Sequence, residues 1–251
     1  MTGAASPFVF DRGLVRRHIA RAKSLFQKHS ALFDDTATQL GERLGEIKHP
    51  FRCALDISPF PFLEKRKEND FTVTIPHLAV NEETLPFAPQ SFDLIVSNLG
   101  LHWANDLPGA LLQCRVTLKP GGLFLAAIIG GQSLRELRQC LLDTEISTSN
   151  GASPRLSPMI DLQTAANLML RAEFLLPVAD IETITLLYPD MFALMRDLRG
   201  MGQTNAHVER LRHLTRRSFF SKAEELYKDR FANAEGLIPA TFDIIYLHGW
   251  K

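Results

Sequence analysis

The N-terminal apolar positions recur at intervals of three and four: Leu14, His18, Ile19, Ala22, Leu25 and Phe26, then Leu32, Phe33, Thr36, Leu40, Leu44 and Ile47. That spacing lines one face of a helix, so Phe10 to about Ile47 predicts two amphipathic helices, closed by Pro50. Asp34 and Asp35 favour the positive end of the second helix. The period then changes. Arg52–Ile57 is a short apolar run with an acid near its end, which predicts a strand, and Pro59 and Pro61 stop it. A charged run from Leu63 to Asp70 predicts a solvated turn or helix end. Phe71–Ile75 and Leu78–Val80 are further short strand candidates, followed by a loop from Asn81 to Phe87.

The strongest β signal is SFDLIVSNLGLHW, Ser91 to Trp103. Its continuous run Leu94-Ile95-Val96 reads as a strand buried on both faces. Asn105-Asp106-Leu107-Pro108 starts a helix with an Asx cap and a first-turn proline, and the apolar positions carry that helix to Lys119. Pro120-Gly121-Gly122 ends it, and Leu123–Ile129 is the next strand. Strand, helix, strand at this spacing is a βαβ unit with a right-handed crossover. Gly130-Gly131 breaks the strand, and Ser133 to Glu136 opens a helix. Ser147 to Pro158 is rich in turn residues and reads as a flexible boundary. Later come a helix over Leu162–Ala172 and strands over Leu175–Val178 and Glu182–Tyr188, read as an antiparallel pair. A helix over Met191–Gly200, an amphipathic basic stretch over Glu209–Asp229 and a last strand over Phe242–Leu247 follow.

This pattern implies an α/β fold with a mainly parallel sheet. In such sheets ligands bind outside the carboxyl ends of the strands, so Ser97, Asn98 and the turn after them fall where a ligand sits. Composition narrows the function little. In 251 residues, 45% apolar and 22% charged, Lys and Arg balance Asp and Glu at formal net charge zero. No general pull toward nucleic acid or an acidic membrane follows, and no apolar run predicts a transmembrane segment. Cys53, Cys114 and Cys140 form no CxxC pair and read as buried thiols in a reducing, cytoplasmic setting. The basic N-terminal residues Arg12, Arg16, Arg17, Arg21 and Lys23 are interrupted by no cleavage-site pattern and read as a solvated helix face.

The segment NEETLPFAPQSFDLIVSNLGLHWANDLPGALLQCRVTLKPGGLFLAAIIGG resembles the central part of Rossmann-like S-adenosylmethionine methyltransferases. FDR at Phe10–Arg12, LMRDLRGMGQTNA at Leu194–Ala206 and PATFDIIYLHGW at Pro239–Trp250 are similar to one subgroup. It contains the mitochondrial complex I assembly factor described as an arginine hydroxylase, with its alphaproteobacterial relatives, and is akin to the malonyl-acyl-carrier-protein O-methyltransferase of biotin synthesis. The resemblance implies a Rossmann-like methyltransferase fold, shortened in its N-terminal half: N-terminal helices over 1–50, then a domain over 51–251 with a helical cap inserted around 133–230. It implies S-adenosyl-L-methionine as cofactor, held by Asp56, Asn81, Glu82, Ser97, Asn98 and Leu99. His102, Trp103, Tyr188 and Arg199 would face the substrate, with no resident metal. The substrate would be a small molecule, an acyl carrier or a protein, including a respiratory-complex subunit. The mitochondrial matrix is the alternative compartment.

One departure stands out. Relatives carry a glycine-rich turn after the first strand, of the form LDxGxGxG, whereas this chain reads Leu55-Asp56-Ile57-Ser58-Pro59-Phe60-Pro61. The interval from Asp56 to Asn81 is also short for two helix-plus-strand units, each of which needs about 15 residues. Either one βα unit is lost, with Asp56 the acid before the missing glycine loop, or Asp56 is the second-strand acid that meets the ribose. The resemblance implies S-adenosylmethionine-dependent methyl transfer, with arginine hydroxylation in respiratory complex I assembly as the alternative; a third class of function, a non-catalytic assembly or interaction protein on a degenerate methyltransferase fold, follows from the departure.

Overall fold

The computed structural model describes residues 8–63, 72–74, 83–149 and 152–251. The expected charged run after Leu63, the strand over Leu78–Val80, and the site residues Asn81 and Glu82 lie outside the described residues. The chain divides into two compact units, one of Ser30–Gly131, Ile160–Glu182 and Ile244–Lys251, the other of Met1–His29, Gln132–Met159 and Thr183–Asp243. The first is a sheet unit and the second is mainly helical.

In the sheet unit, helix α2 (Ala31–Glu46) precedes strands β1 (Cys53–Asp56), β2 (Thr72–Thr74) and β3 (Phe92–Asn98). Helix α3 (Leu107–Thr117), strand β4 (Leu118–Ile129) and helix α5 (Leu162–Arg171) complete its larger elements. Strands β5 (Leu175–Tyr188) and β6 (Ile238–Trp250) contribute residues to both units. The sheet runs β2-β1-β3-β4-β6-β5, with β2, β1, β3 and β4 parallel and β6 antiparallel to β4. In the doubly wound order the first strand lies beside the fourth, with two more strands beyond it. Here β1 lies beside β3, with one described strand, β2, outside it. Position in the sheet therefore makes β1 the counterpart of the first strand.

The parallel centre is dry. Leu55, Ile95, Phe124 and Ala126 are fully buried, and Ala165, Met169 and Phe174 cover them from α5 and the turn after it. A strand covered on both faces has no polar alternation, which explains the continuous apolar runs of β3 and β4. The Asp106 side chain caps α3 by accepting from the Gly109 N–H at 2.9 Å, as the Asx-Leu-Pro start predicts. Asp93 performs a similar service across the sheet: its Oδ1 accepts from the N–H groups of Arg52 and Cys53 at 3.0 and 2.8 Å, fixing the entry of β1.

Three sequence expectations are corrected. The helix over 107–119 stops at Thr117, because Leu118 already pairs with Phe92; β4 then advances from Leu118 to Leu123 while β3 advances from Phe92 to Leu94. Pro120-Gly121-Gly122 is thus a bulge within a strand rather than a helix stop. Gly121 has φ +74° and a Cβ on Gly122 would lie 2.9 Å from the Lys119 carbonyl, so the glycine pair is needed there. The bulge is held by Gly121 N–H donating to Lys251 O at 2.9 Å and Lys251 N–H donating to Gly122 O at 3.0 Å. Second, the paired strands over 175–178 and 182–188 are one strand, β5. It is at the edge of the described sheet, where Pro177 and the half-exposed Asp180 and Glu182 are tolerated. Its first half exposes Leu175, Leu176, Val178 and Ile181, Leu176 to 78%. Third, the basic stretch from Glu209 becomes helical only at Arg217, where α7 (Arg217–Phe231) begins.

The helical unit contains α1 (Arg12–Ala22), α4 (Arg135–Ser149), α6 (Met191–Gly200) and α7. Asp11 caps α1 through the Leu14 N–H at 2.9 Å, and Asp190 caps α6 through the Ala193 N–H. Ser133 and Glu136 at the start of α4 grip the unit's part of β6: Asp243 N–H donates to Ser133 Oγ at 2.9 Å, and the Thr241 hydroxyl donates to Glu136. Among the described residues no helix is long and apolar enough to cross a membrane.

Gly249 in β6 gives a direct test of packing in the sheet unit. A Cβ there would meet Phe174 Cβ at 2.8 Å and Met169 Cε at 3.0 Å. Phe174 Cβ cannot swing away as a side-chain tip can. Gly249→Ala is expected to lower stability by about 1–3 kcal/mol, read as a lower urea midpoint with an unchanged slope.

Candidate functional site at the carboxyl end of the parallel strands

β1 and β3 end side by side, with Asp56 opposite Val96. The Asp56 side chain is completely buried. Its Oδ1 accepts from Ser58 N–H at 3.0 Å, and its Oδ2 accepts from Phe62 N–H at 2.9 Å and Leu63 N–H at 3.1 Å. Burial pushes its carboxyl above the ordinary value of 3.8, against the hydrogen bonds from Ser58, Leu63 and Phe62, which pull it down. The chain after β1 therefore folds back over its own strand end. Phe60 meets the Phe33 ring edge-on at 5.3 Å between centroids, and Phe62 and Leu63 are buried as well.

The end of β3 is equally engaged. Asn98 N–H donates to Ser58 Oγ at 2.8 Å. The Asn98 amide donates to Phe33 O at 3.0 Å, and its Oδ1 accepts from the Thr36 hydroxyl at 2.7 Å, both on α2. Leu99 follows with φ 50°, a left-handed conformation that costs a non-glycine residue about 1 kcal/mol or more. Its N–H donates to Ala127 O at 2.9 Å, which pins the turn to β4. Leu101, His102 and Trp103 then form one turn of 3-10 helix, all buried, with the His102 and Trp103 rings 5.1 Å apart. Of the candidate groups, the buried Ser97 hydroxyl has no hydrogen-bond partner among the described residues.

The other two substrate candidates belong to the helical unit. The Tyr188 hydroxyl donates to Asp197 Oδ2 at 2.6 Å, and Asp197 Oδ1 lies 2.7 Å from His29 Nδ1. Burial, then the Asp197 carboxylate, pushes the Tyr188 phenol up. Arg199 is exposed. Asn205, from the same subgroup-specific segment, fixes a loop: it donates to Pro154 O at 2.7 Å and accepts from the Ser157 hydroxyl at 3.0 Å. Three residues at the strand ends gave no signal as isolated letters. Ser58 bridges the two strand ends. Glu83 accepts from the backbone N–H groups of Asn105 and Asp106, the latter at 3.2 Å. Pro59 lies against Gly100, where a Cβ would meet Pro59 Cδ at 2.9 Å and Ser97 Oγ at 3.5 Å.

These contacts test whether the described residues fit S-adenosyl-L-methionine, the group that the family implies. A cradle between the ends of β1 and β3 needs backbone space beside the first strand and free acceptors for hydroxyls. Pro59 fills the space against Gly100, three N–H groups take the Asp56 oxygens, and α2 takes the Asn98 amide. The Ser97 hydroxyl keeps hydrogen-bonding capacity among the described residues, and one hydroxyl is not a cofactor site. The described residues do not fit the group.

Because the folded Asp56 carboxyl titrates above its unfolded value, its support for the fold is complete below pH 3.8 and is lost as pH rises through the folded value. Asp56→Asn removes that titration. The urea midpoint of the wild type is expected to fall relative to that of Asp56→Asn as pH is raised from 3.8 upward. A difference between the two proteins that stays constant with pH contradicts the assignment.

Comparison with known proteins places this geometry in a family. Residues 51–126, from β1 into β4, match the family profile described as Methyltransferase domain. The protein named Arginine-hydroxylase NDUFAF5, mitochondrial, of Danio rerio is 34% identical over 97% of this chain and 83% of its own length. Its Homo sapiens counterpart is 34% identical over 99% of this chain and 79% of its own. The malonyl-[acyl-carrier protein] O-methyltransferase of Xylella fastidiosa is 36% identical over 78% of this chain and 64% of its own length. A candidate methyltransferase of Bacillus halodurans shares the fold, at TM-score 0.55 and 11% identity over 86% of this chain and 98% of that one. A parallel centre that ends in a buried acid, a βαβ unit at β3–α3–β4 and a likeness running nearly end to end lead to one conclusion: the chain belongs to the methyltransferase-domain family, in the group of the NDUFAF5 arginine hydroxylases.

Proposed function

We propose that the chain acts on a protein partner during assembly of a respiratory complex, in the manner of its arginine-hydroxylase relatives, and not as a methyl donor from a cradle at β1 and β3. The observation that carries this reading is the packing of Pro59 against Gly100 beside the Asp56 carboxylate, whose oxygens already accept from three backbone N–H groups. The near-full-length similarity to proteins named arginine hydroxylases supports the protein-directed half. The same names include the word mitochondrial, which supports the mitochondrial matrix, or a cytoplasm of comparable redox state, as the compartment. Free thiols at Cys53, Cys114 and Cys140 are consistent with either.

One specific observation favours a second reading, S-adenosyl-L-methionine-dependent methyl transfer to a small molecule, acyl carrier or protein. The methyltransferase profile spans β1, β3 and the first part of β4, the part of the fold that carries the cradle in relatives. On that reading Asn81 and Glu82 join Asp56, Ser97, Asn98 and Leu99 toward the cofactor, and His102 and Trp103 toward the acceptor.

Calorimetric titration with S-adenosyl-L-methionine separates the two. The first reading expects no saturable heat up to about 1 mM ligand. Micromolar binding that weakens at least about tenfold in Ser97→Ala overturns it and selects methyl transfer.

A further inference from the structure

The helical unit contains a half-open pocket of about 270 Å³ that the site above does not use. Its walls are Leu137 and Leu141 of α4, Met195 and Leu198 of α6, Leu211 of the segment before α7 and Phe220 of α7. The volume is near the lower end of small-molecule sites, about 300 Å³, and suits a compact or narrow ligand.

Several polar groups around the walls have protein partners that hold them in place. Arg155 donates through Nε and Nη2 to Glu145 at 3.2 and 3.0 Å and through Nη1 to Thr215 at 2.9 Å, and its guanidinium lies 4.2 Å from the Phe219 ring centroid. Asn205 is tied to the loop at Pro154 and Ser157. Thr204 accepts from Arg21 at 3.3 Å.

The charge of the lining is one-sided. Arg155 and Arg210 both line the cavity, and the only described carboxylates paired with them are Glu145 and Asp11. Glu145 is consumed by the bidentate Arg155 pair and by Ser153, whereas the Arg210–Asp11 contact is a single one at 3.4 Å. The segment His207–Arg217 adds Arg212, Arg216 and Arg217 against one acid, Glu209. The same field is felt at the buried His18, whose imidazole is pushed down to about 4 by burial first, then by Arg21, with Arg210 and Arg17 adding to it. A cavity with aliphatic walls and a cationic side selects a ligand with an apolar body and an anionic end.

We propose that this cavity binds a medium-length aliphatic carboxylate, with its chain between α4 and α6 and its carboxylate against Arg210. The site stands on the helical unit alone and holds whether or not S-adenosyl-L-methionine binds elsewhere.

The test uses the full chain, with decanoate, decanol and phosphatidylglycerol vesicles as separate probes. Calorimetry should give saturable binding of decanoate, decanol binding weaker by about tenfold, and no response to vesicles. The 13C-methyl spectrum of the six methionines locates the event in the wild type: the Met195 signal should move on adding decanoate while that of Met169, in the sheet unit, stays. Arg210→Gln should lose about tenfold in decanoate affinity and none in decanol affinity. Absence of decanoate binding, equal binding of decanol, a response to vesicles alone, or an unmoved Met195 signal each overturns the proposal.

Discussion

A carboxylate taken wholly out of water is costly unless donors surround it, and Asp56 meets that condition with backbone donors from its own downstream chain. Those donors belong to Ser58, Phe62 and Leu63, so the segment after β1 must turn back over the strand end to supply them. That return sets Pro59 on Gly100 and brings the Ser58 hydroxyl to the Asn98 N–H. Asn98 in turn reaches Phe33 and Thr36 on α2. One burial event thus organises the strand end, the turn after the neighbouring strand and the helix packed against them.

The elements whose environment is uniform were legible in the sequence. β1, β3 and β4 are buried on both faces and appear as unbroken apolar runs, and α3 carries its cap and proline in four consecutive residues. Elements that depend on distant partners were not. The strand character of Lys119–Gly122 comes from pairing with the far C-terminus at Lys251, which no local window contains. The unity of β5 across Asp180 follows from its edge position, which only the sheet order reveals. The site divides the same way. Ser97 and Asn98 were readable as a strand exit, but the groups that occupy Asn98 lie 62 and 65 positions earlier in the chain. Loss of the glycine loop was visible as letters; its substitution by a hydrogen-bonded plug was not.

The segment LMRDLRGMGQTNA, which carries much of the family likeness, has an architectural explanation in the helical unit. Asp197 joins Tyr188 to His29, and a Cβ on Gly200 would lie 2.1 Å from the His29 ring, so histidine and glycine are mutually required. Gly202 has φ +76°, and Asn205 holds the loop at Pro154 and Ser157. Family-specific residues here build a shape, and the pocket of the helical unit is a product of that shape.

The edge position of β5 has a consequence for the protein in solution. A boundary strand offers unpaired backbone groups to any extended segment that meets it, and the exposed aliphatics of its first half make such an encounter adhesive. Pro177 interrupts the row of donors, and Asp180, held by Arg43 at 3.1 Å, places a charge pair on the same stretch. A proline and a charge pair are the devices that blunt an edge strand against pairing with another chain, and here both sit on the stretch that exposes its aliphatics.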